Sequence, residues 1–147
     1  MRAKKKSTQI KVKDKDRLNK VKTLELTKIQ IVNDFLVSKL SKILNEFPNP
    51  DELSEFYQKL VDMTIGKYEL KRAVNRVEKS RDIINKIFGE SVRGMKRAYG
   101  LKDIAYAKSK YYGRISSVMD RIDFEFLKEA RIVLQSFPTI RQKLKKV

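Results

Sequence analysis

From Leu24 onward, apolar residues recur at intervals of three and four. Ile29, Val32, Leu36, Leu40, Ile43 and Phe47 fall on one face of a helix. The preceding stretch, 1–22, is mostly charged, with isolated Ile10, Val12 and Leu18, and predicts a basic arm that is flexible or partly helical. "FPNPD" stops the first helix, because Pro48 and Pro50 disfavour helix in the residues before them, and Asp51 is placed to cap the next segment. Leu53, Phe56, Tyr57, Leu60, Val61 and Thr64 trace a short second helix to Gly66. Leu70, Val74, Val77, Ile84, Phe88, Met95 and Tyr99 keep helical spacing over a long third segment, about 68–99, with a polar break at Arg81. Gly89 and Gly94 lie inside it and favour a kink, and Gly100 ends it. Ile104, Ala107, Tyr111, Ile115, Val118 and Ile122 form a fourth face, and Leu127, Ala130, Leu134 and Phe137 a fifth, with "RIDF" between them.

One segment alternates instead: "TLELTKIQIV" (23–32) is the strongest strand candidate, but it has no second strand to pair with. The pattern therefore predicts an all-α fold, a bundle of four to five helices over 23–140 with one long helix. Five Gly and three Pro in 147 residues are too few turn-formers for an all-β alternative. No 20-residue apolar span is present, and the basic N-terminus lacks the hydrophobic core of a secretory signal.

Composition narrows the chemistry. The chain has no Cys, which removes disulfides and thiol catalysis and fits a reducing compartment. It has no His, the commonest metal ligand and general base. Two glycine-lysine stretches resemble phosphate-binding loops only superficially. Around "TIGKYEL", Val61 stands five positions before Gly66 where Gly belongs and Tyr68 where Ser or Thr belongs, and "GESVRGMK" has Met95 in place of Lys. The acids Asp51, Glu52 and Glu55, and the pair Asp120 and Asp123, read as helix caps and dipole partners. Of the adjacent Tyr111 and Tyr112, one is expected in the core, leaving the other free to stack on a base. No catalytic residue and no metal ligand is assigned.

The net charge of +17 changes the picture more. Residues 1–22 carry ten basic and two acidic side chains, and residues 67–100 carry ten and four. So basic a surface attracts polyanions, nucleic acid first and anionic lipid second. On the third helix, opposite its apolar seam, lie Arg72, Arg76, Lys79, Lys86, Arg93 and Arg97. Arg72, Lys79, Lys86 and Arg93 are spaced by sevens and stay near one line. From Arg72 to Arg97 that line extends about 37 Å. Four of the six are Arg, whose planar fork suits phosphate oxygens. Lys96 adjoins the stripe, and Lys108, Lys110 and Arg114 on the next helix widen it. The competing reading is a solvated helix face in which Glu78, Asp82 and Glu90 pair with these cations. Nothing here reads base sequence, so binding should be led by shape and phosphate.

From "ILNEFPNPDELSEFYQKLVD" to "LQSFPTI", about residues 43–140, the order of features resembles the N-terminal helical domain of the nucleolar GTP-binding protein 1 family of ribosome-assembly GTPases. The matching residues are Phe47-Pro48, Phe56-Tyr57, Leu60, Tyr68 with Leu70 and Lys71, Val92-Arg93 with Lys96, Gly113-Arg114-Ile115, and Phe137-Pro138-Thr139-Ile140. Where the family commonly has an acid and an aromatic before the Val-x3-basic stretch, this chain has Glu90 and Ser91. Where the family favours Lys-Arg before Gly-Arg, it has Lys108, Ser109 and Lys110.

The resemblance implies a non-catalytic, monomeric module that contacts pre-ribosomal RNA and large-subunit ribosomal proteins. It is expected in the nucleolus of a eukaryote or the cytoplasm of a prokaryote. It implies that residues 141–147 are a basic linker toward a GTPase domain, which would hold GTP and magnesium. No cofactor is expected in the chain itself. Two other readings stay open: a module that packs on its own GTPase domain without touching RNA, and a polybasic protein at an anionic membrane surface.

Overall fold

The structure, a computed structural model, describes residues 2–137, with side chains from Lys15 onward. The closing Pro138-Thr139-Ile140 and the expected linker 141–147 lie outside the described residues. The described residues form five α-helices: α1 (Arg2–Glu46), α2 (Glu55–Thr64), α3 (Lys67–Lys96), α4 (Leu101–Asp120) and α5 (Phe124–Gln135). The all-α expectation holds, and the alternating segment 23–32 lies wholly within α1. Its outward positions explain the alternation: Leu24 and Ile31 face solvent, while Ile29 is fully buried.

Two expectations about length change. The long helix at 68–99 is present as α3, without interruption at Arg81, Gly89 or Gly94, but α1, at 45 residues, is longer. No break separates residues 1–22 from the rest of α1, because Leu18 and Val21 pack on the core and extend the buried face. Lys22 adds a polar tie, donating from Nζ to the carbonyl of Lys96 at 3.3 Å. That carbonyl belongs to the last turn of α3, where backbone oxygens lack helical partners.

α3 is the central helix, packed between α1 and α4. The main core joins these three through Ile29, Leu40, Val77, Ile84, Met95, Ile104, Tyr111 and Ile115. A smaller cluster, Leu53, Val61, Leu70, Ala130 and Leu134, ties α2 and α5 to the start of α3. Tyr111 is the core member of the tyrosine pair, and Tyr112 packs against it edge-on at 5.3 Å. Tyr99 departs from its expected place in the seam: α3 has ended by then, and the ring is exposed. Phe56 also points outward from α2, leaving Tyr57 and Val61 to pack inward.

Local chemistry sets the joints. Asn49, rather than Asp51, caps the turn after α1, its side chain accepting from the Asp51 N–H at 3.1 Å, with Pro50 in the first position. Ser54 caps α2 and Asp123 caps α5, the latter accepting from the Phe126 N–H at 3.0 Å. Asp51 instead binds two lysines from α3, Lys71 at 2.5 Å and Lys67 at 2.9 Å. Between α2 and α3, Gly66 adopts φ +96°, a conformation open to glycine and rarely to other residues.

Candidate nucleic-acid interface

Because α3 and α4 pack side by side and run in opposite directions, each contributes a line of basic residues to the outer edge of their seam. Across the seam, Glu90 on α3 accepts from the Arg114 guanidinium on α4 at 2.5 Å. On α4, Lys110, Arg114 and Arg121 follow at spacings of four and seven, so they share one face. Arg121 lies just past the helix but keeps helical backbone geometry.

At the α2 end of this edge, Arg72, Arg76 and Lys79 meet Arg121 in a groove of about 500 Å³ that also includes Lys71 and the exposed ring of Tyr68. Among the described residues, no carboxylate lines the groove. Lys71 is engaged by Asp51, but among the described residues Arg72, Arg76, Lys79 and Arg121 take part in no ion pair. Four cations held close together without counter-charge favour an incoming anion, since their mutual repulsion is relieved when it binds.

At the other end, Arg97, Lys110 and Arg114 line a second cleft of about 300 Å³ with Tyr99 and Tyr106. A third and wider opening, about 870 Å³, lies where α1 passes the end of α3. It gathers Lys15, Arg17, Lys22, Lys96 and Arg97, and among the described residues no carboxylate lines it. Lys86 and Arg93 stand exposed between the two ends of α3 and line none of these openings. They act on Glu90, whose carboxyl is held below its ordinary range, first by its bond to Arg114 and then by the charges of Arg114, Lys86 and Arg93.

The ten basic residues expected from the sequence thus fall into distinct places. Arg72, Arg76 and Lys79 form the α2-end groove, and Arg97, Lys110 and Arg114 the opposite cleft. Lys86 and Arg93 connect the two, and Lys96 turns toward α1. Lys108 is set apart: it projects from the other side of α4 and pairs with Glu25 of α1 at 3.2 Å. The competing reading, a face neutralised by its own acids, is met in part: Lys86 and Arg93 act on Glu90 through space, while the ion pairs of Glu90 and Asp82 go elsewhere. Glu90 is taken by α4, and Asp82 lies 3.9 Å from Arg81, which points to α1 and donates to Ser41.

Arg121, Lys22, Arg17 and the exposed Tyr99 and Tyr106 join these clefts although the sequence pattern did not mark them as a site. Arg121 carried a usable signal in its i+7 spacing from Arg114. The others depend on tertiary placement. Among the described residues, no helix is long and apolar enough to cross a membrane.

Comparison with known proteins places this architecture. The family model of the NOG1 N-terminal helical domain matches residues 1–141. The chain is 29% identical over 125 residues to a nucleolar GTP-binding protein 1 of Caenorhabditis elegans, covering 84% of this chain and 18% of the relative. It is 26% identical over 126 residues to the nucleolar GTP-binding protein 1 of Arabidopsis thaliana, covering 84% and 19%. It also matches an uncharacterised protein of Methanocaldococcus jannaschii at 22% identity over 142 residues, covering 95% of this chain and 41% of that one. The chain therefore spans less than half the length of each of these relatives. With the family model extending across nearly its whole length, the chain belongs to the NOG1 N-terminal helical domain family.

Proposed function

We propose that this chain is the non-catalytic docking module of a ribosome-assembly GTP-binding protein, and that it seats on large-subunit ribosomal RNA through the outer edge of α3 and α4. The observation that carries the proposal is the groove of Arg72, Arg76, Lys79 and Arg121, four cations without a carboxylate partner among the described residues. Spacing along α3 supports it, since phosphates arranged along a helix can meet successive turns. The relatives named nucleolar GTP-binding protein 1 support the setting. In this reading, GTP and magnesium are bound by a separate domain, and the helical module supplies address rather than chemistry. Its partners are pre-ribosomal RNA and the large-subunit proteins beside it. The module acts as a monomer, in the nucleolus of eukaryotes and in the cytoplasm of prokaryotes.

The test is binding of the chain to structured fragments of large-subunit ribosomal RNA, measured by fluorescence anisotropy across a salt series. Each phosphate contact releases counterions, so affinity should fall steeply as salt rises. Replacing Arg72, Arg76 and Lys79 together with Ala should weaken binding and flatten the salt slope, with helicity unchanged. Affinity that ignores salt, or a triple variant that binds like wild type, would refute the proposal.

A second reading draws on a different surface. Leu24, Ile31 and Phe35 form an exposed apolar line on α1, on the side away from the core. That line suits packing against a GTPase domain of the same protein, which would let the module act on the nucleotide cycle. Polar substitution of all three would then change GTP hydrolysis by the longer protein while sparing RNA affinity.

A further inference from the structure

The end of the α3–α4 edge remote from Arg72 presents two aromatic rings to solvent. Tyr99 is 95% exposed and Tyr106 69% exposed. Neither ring contributes to the core, yet both stand on fixed supports. Tyr99 sits beside buried Ala98, and its backbone N–H donates to the Asp103 carboxylate at 3.1 Å. Tyr106 lies within α4, two residues after the buried Ile104. Little backbone ordering is therefore needed when either ring meets a ligand.

Both tyrosines belong to one cleft with Arg97, Lys110 and Arg114. Its two carboxylates are already engaged, Asp103 by the Tyr99 N–H and Glu90 by Arg114. An incoming group meets two exposed tyrosines and the cations of Arg97 and Lys110, which take part in no ion pair among the described residues. Aromatic rings interleaved with free cations suit unpaired nucleotides, whose bases stack while their phosphates are neutralised. A continuous duplex hides its base faces and would leave the tyrosines unused. An apolar protein surface would bury the rings but strand the cations.

Building on the RNA-docking reading above, we propose that this cleft captures unpaired nucleotides, in a bulge or loop, by stacking on Tyr99 and Tyr106 with phosphate on Arg97 and Lys110. The α2-end groove then holds the adjoining backbone, and the two ends of α3 have different tasks: one grips phosphate and the other selects RNA with exposed bases.

The test compares two RNA hairpins, each closed by the same non-nucleotide linker in place of a loop and identical except that one stem carries a three-purine bulge and the other is fully paired, in the same buffer. The wild-type chain should favour the bulged hairpin on the order of tenfold, the scale of one base stacked on an aromatic ring. Tyr99→Ala combined with Tyr106→Ala should erase that preference while leaving affinity for the paired hairpin unchanged. The corresponding Tyr→Phe pair should retain it, since the stacking face is kept. Both positions are exposed, and circular dichroism checks that each variant keeps its helices.

Equal affinity of the wild type for the two hairpins would overturn the stacking proposal and leave phosphate docking standing. Survival of the preference in the double Ala variant would also overturn it, by placing base capture elsewhere. Binding to neither hairpin would overturn the docking reading along with it and turn the exposed rings toward a protein partner.

Discussion

The hydroxyl of Tyr111 on α4 donates to the side-chain oxygen of Asn33 on α1 at 2.9 Å, inside the main core. Asn33 in turn reaches Asn85 on α3 at 3.4 Å, so one polar chain links all three central helices. Tyr111 is fully buried and Asn33 nearly so. Apolar contacts alone tolerate sliding of one helix along another, whereas a buried hydrogen bond is satisfied only at one register. The pair therefore fixes how α4 sits against α1, and with it the position of Lys110 and Arg114.

Tyr111→Phe should destabilise the fold by about 1–3 kcal/mol, because the Asn33 oxygen is left buried without its donor. Thermal or urea unfolding measures the loss. Replacing Asn33 with Leu in the Tyr111→Phe background should recover part of it, since removing both polar partners costs less than removing one.

Burial also pushes the Tyr111 phenol up to about 12. A folded-state value above the unfolded value near 10 means that folding favours the protonated ring. Its contribution to stability is complete below about pH 10 and is lost as pH rises toward about 12. The difference in alkaline absorbance titration between wild type and Tyr111→Phe should therefore show a late phenol, coincident with loss of helical signal.

Asp51 and Glu90 shift the other way. The Asp51 carboxyl is held low by its bonds to Lys71 and Lys67, and Glu90 by its bond to Arg114. Each contributes stability above its unfolded value near 4 and loses it as pH falls through the lower folded value. Carboxyl-detected NMR titration should place both midpoints below those of model peptides. Arg114→Ala should move the Glu90 midpoint upward and leave Asp51 where it is.

Gly66 and Gly113 should respond oppositely to Ala. At Gly66 the φ of +96° is closed to most residues, and an added Cβ would run into the Glu69 carboxylate, which must swing away. Gly66→Ala should cost about 1–2 kcal/mol. Gly113 lies within α4, where an added Cβ would meet nothing within 4 Å beyond its chain neighbours and the helix's own backbone, so Gly113→Ala should stabilise by roughly 0.5–1 kcal/mol. Melting temperatures of the two variants should fall on either side of wild type.

Arg121→Ala tests a residue that the structure adds to the α2-end groove. Affinity for structured RNA should fall uniformly across sequences, and the slope of log affinity against log salt should drop by about 1, as expected for one lost phosphate contact. The unfolding midpoint should stay near wild type, because Arg121 is exposed and makes no ion pair among the described residues.

The helices were legible from periodicity alone. A period of three to four in Ile29, Leu40, Val77, Ile84, Ile104 and Ile115 leaves no alternative to burying one face of each segment, and these residues are the core. Pro48, Gly66 and the Arg121–Phe124 corner end elements for local reasons, so the joints could be read as well. Packing between helices settled the rest. Leu18 and Val21 extend α1 because α3 and α4 offer them apolar surface, a fact absent from a run of lysines. Asp51 left its expected cap because two lysines from α3 lie within 3 Å. Tyr99 fell outside the seam because α3 stops three residues earlier. The basic residues were visible as a row along one helix, but their sorting into two ends was not. It depends on α4 packing antiparallel to α3, so that Arg121 meets Arg72 while Lys110 and Tyr106 meet Arg97. Spacing along a chain fixes which side chains share a face of one helix, and only packing fixes which faces share an edge.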